Sequence, residues 1–237
     1  KRQSKGMAII NLLNLNGKEK INAIIPIKEY DPESILVFAT KKGIIKKTRF
    51  DNFKNIRKTG IIAITLKEDD ELISVRKTHG NKEIIIVTKY GKAIRFSEKD
   101  VREMGRNAAG VKSITLNKDD EVISMDLIEE GKDLLVVSEK GYGKRTSLEE
   151  YRIQNRGGKG LITYQVKEKT GSLISAKVVD KTDELMLISL GGIIIRLKVE
   201  GISKMGRSTQ GVTLMRIEED DKVVAVAKHV EVVLEEE

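Results

Sequence analysis

The sequence predicts an all-β protein whose strands form propeller-like blades arranged in a ring, an architecture called a β-pinwheel. Three observations lead to this fold class. One unit of about 50 residues recurs along the 237-residue chain, each copy holds about four strand-like segments, and only two prolines and 4% aromatic residues leave Ile, Val and Leu to pack the core. Four strands in a period of roughly 40 to 50 residues are typical of radial blades, whereas the repeats of a linear β-solenoid are shorter.

Each unit opens with a short basic motif that ends in glycine. The motif glycines are separated by 54, 50, 50 and 51 residues, and an arginine stands four positions before the glycine in four of the five copies. In the remaining copy this position is Ile56, and the cation has moved to Arg57. The motifs read RQSKG, IRKTG, RNAAG, RGGKG and RSTQG, and they end at Gly6, Gly60, Gly110, Gly160 and Gly211.

The other elements of a unit follow the motif in a fixed order. An alternating strand such as VKSITL comes first, and an acidic turn such as KDDE (118–121) leads to a second strand, EVISM. An apolar strand such as LLVV (134–137) is predicted to be buried on both faces, and a Ser/Thr-x-x-Gly turn connects it to a basic closing strand. The polar segments 97–105 and 147–154, which precede two of the motifs, are predicted to hold a helical turn.

The number of units predicts a ring that this chain does not complete. The first unit starts at its motif, and the fifth stops early at an acidic segment, so we expect between four and five blades. The missing strands must come from a preceding blade or from exchange between neighbours. We assign residues 1–230 to the ring domain, with units starting near residues 6, 60, 110, 160 and 211, and residues 231–237 to an acidic tail.

Composition excludes several classes of function. The chain has no cysteine and only two histidines, His79 and His229, so a disulfide framework or a zinc site is not expected. No nucleophile is paired with a base, so we expect no catalytic, cofactor or metal site in this chain. No apolar run is long enough to span a membrane, and we expect a cytoplasmic protein. A net charge of +8 and a pI near 9.4 suggest either a polyanionic partner or an excess of lysine that only keeps the protein soluble.

Cations recur at the blade period, and a feature that recurs once per blade lies at one radius of a ring. We therefore predict a band of cations around the rim that neutralises the phosphates of duplex DNA without reading its sequence. The low aromatic content argues against binding of single strands, which stack on aromatic rings. The candidate residues are Arg2, Lys5, Arg57, Lys58, Arg106, Arg156, Lys159 and Arg207 in the motifs, and Lys46, Lys47, Arg95, Lys144, Arg145 and Arg196 in the closing strands.

The stretch QNRGGKG (154–160) is predicted to be the densest point of this band. Gly157, Gly158 and Gly160 let the main chain approach closely with positive φ, so that exposed N–H groups could meet phosphate oxygens beside Arg156 and Lys159. The alternative is an ordinary glycine-rich turn between blades. The other motif copies make the same connection with a single glycine at the motif's end, which favours phosphate contact.

These motifs resemble the C-terminal domain of the gyrase A protein of the type IIA topoisomerases. That family carries a box of the form Q-R-R-G-G-R/K-G, which QNRGGKG matches at six of seven positions, with Asn155 as the departure. The segments REMGRNAAGVKSITL (102–116) and GRSTQGVTLMRI (206–217) are also similar to gyrase A blades. The family's box lies in the first of about six blades, whereas here it lies three units in. This chain is therefore expected to lack the first blade, and 154–160 to be a copy of a box that lies upstream.

The resemblance implies a function for the ring and a set of partners. DNA would wrap around the basic rim, and Gln154 to Gly160 would carry the role of the box. The wrapped DNA would let the DNA gyrase holoenzyme introduce negative supercoils with ATP. The implied partners are double-stranded DNA, the N-terminal cleavage domain of the same polypeptide, and gyrase B in an A2B2 assembly, with no membrane. ATP and Mg²⁺ would act elsewhere in the holoenzyme, and this domain would be non-catalytic.

Three alternatives remain at this point. The equivalent domain of topoisomerase IV has a similar ring, but its box is usually degraded, so the nearly intact box favours gyrase. A protein-binding propeller would need exposed aromatic or apolar anchors, and the chain is poor in aromatic residues. An enzyme would need a complete motif, whereas GYGKRT (141–146) lacks the first glycine and the final hydroxyl of a phosphate-binding loop. Tyr151 could suggest a nucleophile, but it is predicted to pack beside the blade junction.

Overall fold

The structure is a computed structural model that describes residues 21, 23–27, 29–56, 60–128 and 132–229. These residues form four antiparallel sheets, so the predicted all-β fold is confirmed. The strands are β1 (Ile35–Thr40), β2 (Ile44–Arg49), β3 (Leu72–Thr78), β4 (Glu83–Thr88), β5 (Lys92–Ser97), β6 (Val111–Lys112), β7 (Val122–Ile128), β8 (Asp133–Ser138), β9 (Tyr142–Ser147), β10 (Leu161–Ile162), β11 (Leu173–Val179), β12 (Glu184–Ser189), β13 (Ile194–Lys198), β14 (Val212–Thr213) and β15 (Val223–His229). Short 3-10 helices span Phe50–Phe53, Glu98–Asp100, Leu148–Glu150 and Val199–Gly201.

Each blade collects its strands from consecutive units. The strand orders are β3-β1-β2-β6, β10-β5-β4-β7, β11-β8-β9-β14 and β13-β12-β15 in the first to fourth blades. In the first blade, the hairpin β1–β2 is extended by β3 from the second unit and by β6 from the third. The predicted exchange of strands between neighbours is therefore confirmed.

The exchange defines an inner and an outer edge of the ring. Strands β3, β7, β11 and β15 contact one another in that order, so they surround the centre. The opposite edges of the first three blades are closed by β6, β10 and β14, each of which follows a motif glycine. The motif copies that end at Gly110, Gly160 and Gly211 therefore lie at the outer rim.

The apolar strands form the cores between blades. Every side chain of β1 and β8 is buried, and β4 is buried apart from its first residue, as the uninterrupted apolar runs predict. Separate clusters fill the spaces between successive blades, for example Val37 and Ile45 of the first blade against Ile84 and Ile94 of the second. In strand β12, buried and half-buried side chains alternate instead. The described chain has no further blade to pack against the far side of the fourth blade.

The acidic turns stabilise the hairpins. The side chain of Thr40 donates a hydrogen bond of 2.7 Å to the Asp70 carboxylate, whose other oxygen accepts one of 2.9 Å from the Lys42 N–H. Thr88 and Asp120 repeat the first contact in the second blade at 2.8 Å. The acidic turn and the Ser/Thr-x-x-Gly turn of the sequence therefore form one structural unit.

Some predicted elements differ from the structure. Only two residues of each alternating strand pair with a sheet, because the rest of the segment crosses from the outer to the inner edge. The segment 61–66 was expected to be a strand and is irregular, since the described part of the chain offers no hairpin for it to extend. The helical turns predicted in 97–105 and 147–154 are confirmed. The motif that ends at Gly6 and the tail 231–237 lie outside the described residues.

Candidate nucleic-acid interface

The motif arginines bridge successive rim strands. The guanidinium of Arg156 donates hydrogen bonds of 2.9 Å to the Lys112 carbonyl and 2.8 Å to the Asp100 carbonyl. Arg106 and Arg207 make the equivalent bond to the second residue of the preceding motif strand, at 3.3 Å and 3.2 Å. All three arginines are half-buried. The blade spacing of this arginine therefore has a structural cause, and part of each side chain remains accessible at the rim.

The QNRGGKG loop docks onto the preceding motif strand. Gly157, with φ of 81°, donates its N–H to the Ser113 carbonyl at 2.6 Å, and the Thr115 hydroxyl donates to the Gly157 carbonyl at 2.7 Å. The Gly158 carbonyl accepts a hydrogen bond of 2.8 Å from the Thr115 N–H. The expectation that the N–H of Gly157 is free for phosphate is therefore wrong, because this N–H joins two motif copies.

Of the remaining residues of the loop, some have a structural role and one is exposed to solvent. Gln154 is half-buried and donates its N–H to the Arg95 carbonyl at 2.8 Å. A Cβ at Gly160 would lie 2.7 Å from the Ala93 carbonyl oxygen, so the strand pairing requires glycine there. Lys159 is exposed. Within this loop, Lys159 is the lysine that projects to solvent, and Arg156 is held beside it.

Two closing-strand lysines are buried beneath the motif loops. The Lys46 ammonium donates to the carbonyls of Ala63, at 2.6 Å, and Arg106. The Lys144 ammonium donates to the carbonyls of Gly206 and Arg207 at 2.5 Å and 2.7 Å. Neither side chain is exposed, and burial lowers the pKa of each to about 8. Their predicted place on the exposed rim is wrong, because they hold the main chain of the rim loops from below.

The other closing-strand cations are also engaged. Lys47 is buried, with 5% exposure, which contradicts its expected place on the surface. Arg95 and Arg145 bind the carboxylates of Glu83 and Asp133 within their own blades.

These two arginines also donate to the next unit. Arg95 donates to the Leu148 carbonyl and Arg145 to the Ile202 carbonyl, both at 2.7 Å. Arg196 is exposed and pairs with Glu184. The closing-strand cations are therefore buried, join blades or pair with acids, contrary to the expectation of an open basic band. The remaining candidates, Arg2, Lys5, Arg57 and Lys58, lie outside the described residues.

Comparison with known proteins identifies the family. The sequence model described as "DNA gyrase C-terminal domain, beta-propeller" matches residues 1–28, 34–79, 82–129, 132–180 and 183–229. The chain belongs to the DNA gyrase C-terminal domain family. The gyrase A protein of Clostridium acetobutylicum is 60% identical over 227 residues, and that of Halalkalibacterium halodurans is 58% identical over 227 residues. In both cases the match covers 96% of this chain and 27% of the relative, so the chain spans about a quarter of these proteins.

Solved structures agree with this assignment. A DNA gyrase A C-terminal domain superposes with a TM-score of 0.87 at 29% identity, covering 97% of this chain and 77% of that one. The C-terminal domain of a DNA topoisomerase IV gives a TM-score of 0.88 at 29% identity, covering 94% and 70%. The fold is therefore common to both domains, while the matching family model and the relatives at 58–60% identity are those of gyrase.

This gyrase domain exposes cations at the rim that the sequence analysis missed. Arg102 and Arg152 follow the buried Val101 and Tyr151 at the outer edges of the first two blades. Lys112 lies on the rim strand β6. Together with Lys159 they are exposed, and none of the four side chains has a hydrogen bond or ion pair with another described residue. We call Arg102, Lys112, Arg152 and Lys159 the rim cations.

A sequence signal existed for part of this set. Arg102 and Arg152 are 50 residues apart and each follows a side chain that anchors a 3-10 helix to the blade. Their position relative to the motif arginine is therefore constant.

The domain shows no catalytic arrangement among its described residues. Tyr151 is 1% exposed, its hydroxyl hydrogen-bonds to that of Thr163, and burial raises its pKa to about 12, which confirms its predicted packing at the blade junction. Within the described ranges no three His, Asp or Glu side chains could hold a metal ion. No described helix is long and apolar enough to cross a membrane.

Proposed function

We propose that this domain binds duplex DNA along its outer rim and bends it around the ring, without reading the base sequence. The observation that carries the proposal is the group of four rim cations, which are exposed and unpaired in the described chain. Duplex DNA carries one charge per roughly 1.7 Å of its axis, so cations that recur along a curved edge can neutralise successive phosphates. Bending 20–30 base pairs costs on the order of 1–6 kcal/mol, which such contacts can offset.

The backbone bonds of the motif arginines give the rim its rigidity. Each of these arginines is held by a carbonyl of the neighbouring motif, and buried lysines support two of the loops. The motif arginines are already fixed, so they lose little conformational entropy when DNA binds. The half-buried guanidinium groups of Arg106, Arg156 and Arg207 can also contribute charge without moving.

In the longer protein we propose that wrapping enables negative supercoiling by gyrase. The chain is 58–60% identical to gyrase A proteins, and it spans about a quarter of them. The partners would be the N-terminal cleavage domain of the same polypeptide and gyrase B in an A2B2 holoenzyme, in the bacterial cytoplasm. ATP and Mg²⁺ would be used by those other parts. A role in selecting DNA segments for topoisomerase IV is the alternative, favoured only by the structural similarity.

A topology assay separates wrapping from cleavage. We would replace Lys112, Arg152 and Lys159 with glutamine in the full-length gyrase A protein, which is then reconstituted with its ATPase partner. Supercoiling is expected to fall at least tenfold, while ATP-independent relaxation remains within twofold. The matched control replaces Lys42, Lys132 and Lys181, which are exposed in turns at the ends of blades. Equal loss in both variants, or unchanged supercoiling in the rim variant, would refute the proposal.

A further inference from the structure

The centre of the ring contains a cavity that the rim function does not use. It has a volume of about 390 Å³ and lies among the inner strands β3, β7 and β11, with residues 23–26 on one side. This volume is within the range of small-molecule sites. It is too small for a double helix, whose major groove alone is about 12 Å wide. Any ligand of this cavity is therefore different from DNA bound at the rim.

The cavity carries more positive than negative charge. Arg76, Asp126 and Lys177 occupy equivalent positions on the three inner strands, opposite Val37, Ile85 and Leu135 of the apolar strands. Of these, Asp126 is the only acid, and it is already engaged. Its carboxylate accepts from Arg76 at 3.2 Å and from the Val178 N–H at 3.0 Å.

Lys177 lines this cavity and has no partner in the described chain. Its ammonium makes no hydrogen bond or ion pair with any other residue of the described chain. Burial lowers the pKa of Lys177, Asp126 raises it in part, and the positive charges of Arg76 and Lys228 lower it further. Lys228 has its own partner, Asp183, at 2.7 Å. A half-buried cation without a partner costs free energy that a bound anion would offset.

A hydroxyl group stands beside this ammonium in sequence and in space. Ser175 lines the same cavity two residues before Lys177, and its hydroxyl bonds to no other described residue. The hydroxyl of Ser124, by contrast, is used by the Ala176 carbonyl at 2.6 Å. The hydroxyl and ammonium on β11 and the guanidinium on β3, the two strands that flank β7, are the donors that oxyanions of phosphate prefer.

We propose that the central channel binds a small phosphate-type oxyanion between Lys177, Ser175 and Arg76, at a site separate from the DNA rim. The ligand class is inorganic phosphate or pyrophosphate, since the cavity holds an anion of that size. Lys77 also lines the cavity and adds to its positive charge. Binding joins two inner strands, so it stabilises the ring against separation of its blades.

Calorimetry with inorganic pyrophosphate at constant ionic strength tests this proposal. The full chain should bind one equivalent saturably. Lys177→Met should weaken binding at least tenfold, and Ser175→Ala, which removes only a hydroxyl, should weaken it about threefold or more. Lys181→Met, at an exposed turn outside the cavity, should leave the affinity unchanged.

Three results would overturn the proposal. One is the absence of saturable binding to the wild-type chain, and another is equal affinity for the wild type and both cavity variants. The third concerns the rim. If glutamine at Lys112, Arg152 and Lys159 abolishes pyrophosphate binding while Lys177→Met does not, the anion binds at the rim and the cavity is not its site.

Discussion

Replacement of Lys144 by methionine tests whether the buried lysine supports a rim loop. Its ammonium donates to the carbonyls of Gly206 and Arg207, and the side chain has no exposure. Methionine fills the space but leaves both carbonyls without a donor, which costs about 1–3 kcal/mol each. Removal of the buried charge returns about 3 kcal/mol, since its pKa of about 8 lies well below the ordinary 10.5. The net change at pH 7 therefore lies between a gain of about 1 kcal/mol and a loss of about 3 kcal/mol, and the loss grows as the pH rises.

The pH dependence identifies the charge as the cause. The folded state lowers this pKa, so the unfolded chain binds more protons between pH 8 and 10.5. Lys144 therefore contributes stability that is fully present above the unfolded pKa and is lost as the pH falls through the folded pKa of about 8. Relative to the variant, the wild type should gain about 2 kcal/mol between pH 8 and 10.

Urea unfolding of both proteins at pH 7, 8 and 10 measures this difference, because other titrating groups cancel in the comparison. Lys140→Met is the control, since Lys140 is exposed, and its variant should stay within about 0.5 kcal/mol of wild type. A difference between Lys144→Met and wild type that stays constant or shrinks as the pH rises would refute the reasoning.

Two further comparisons use matched pairs of residues. Gly91→Ala should lower the free energy of unfolding in urea by at least about 3 kcal/mol, because the new Cβ would lie 2.3 Å from the Tyr164 carbonyl oxygen. Gly60 has a similar φ but open space around it, so Gly60→Ala should cost only about 1–2 kcal/mol. Equal costs would contradict the close approach at Gly91. Arg145→Met should lower the free energy of unfolding by about 2–4 kcal/mol, since this arginine joins two blades. Arg196→Met should lower it by less than about 1 kcal/mol, since the ion pair of Arg196 with a carboxylate is largely exposed. Thermal unfolding that ranks the two variants in the opposite order would contradict these roles.

The fold was predictable because each repeat unit shows the same local sequence patterns. The apolar runs at 35–38, 84–87 and 134–137 are long enough to be buried on both faces, and the turns between elements recur at one period. The exchange of rim strands was expected from the count of strands alone. The partners of each strand could not be predicted, since Val111 pairs with Ile45 across 66 residues, and such a long-range pairing depends on how the blades pack.

The interface was less predictable because periodicity does not distinguish exposed cations from buried ones. Lys144 and Arg145 are adjacent basic residues of one strand, so their side chains point to opposite faces. Lys144 binds carbonyls of a rim loop, and Arg145 joins two blades. The sequence shows two adjacent cations and does not distinguish these roles. Burial of a lysine against main-chain carbonyls needs no acidic partner, so the sequence carries no matching charge to reveal it.

The salt dependence of duplex affinity tests the central claim most directly. Fluorescence anisotropy with a duplex of about 30 base pairs, repeated from about 50 to 300 mM salt, gives the slope of log K against log salt. We predict a steep negative slope for the wild type, at roughly −0.9 per phosphate neutralised, and a slope shallower by about 2.7 when Lys112, Arg152 and Lys159 are replaced with glutamine. A wild-type slope near zero, or one that these three substitutions leave unchanged, would contradict wrapping of DNA on the rim.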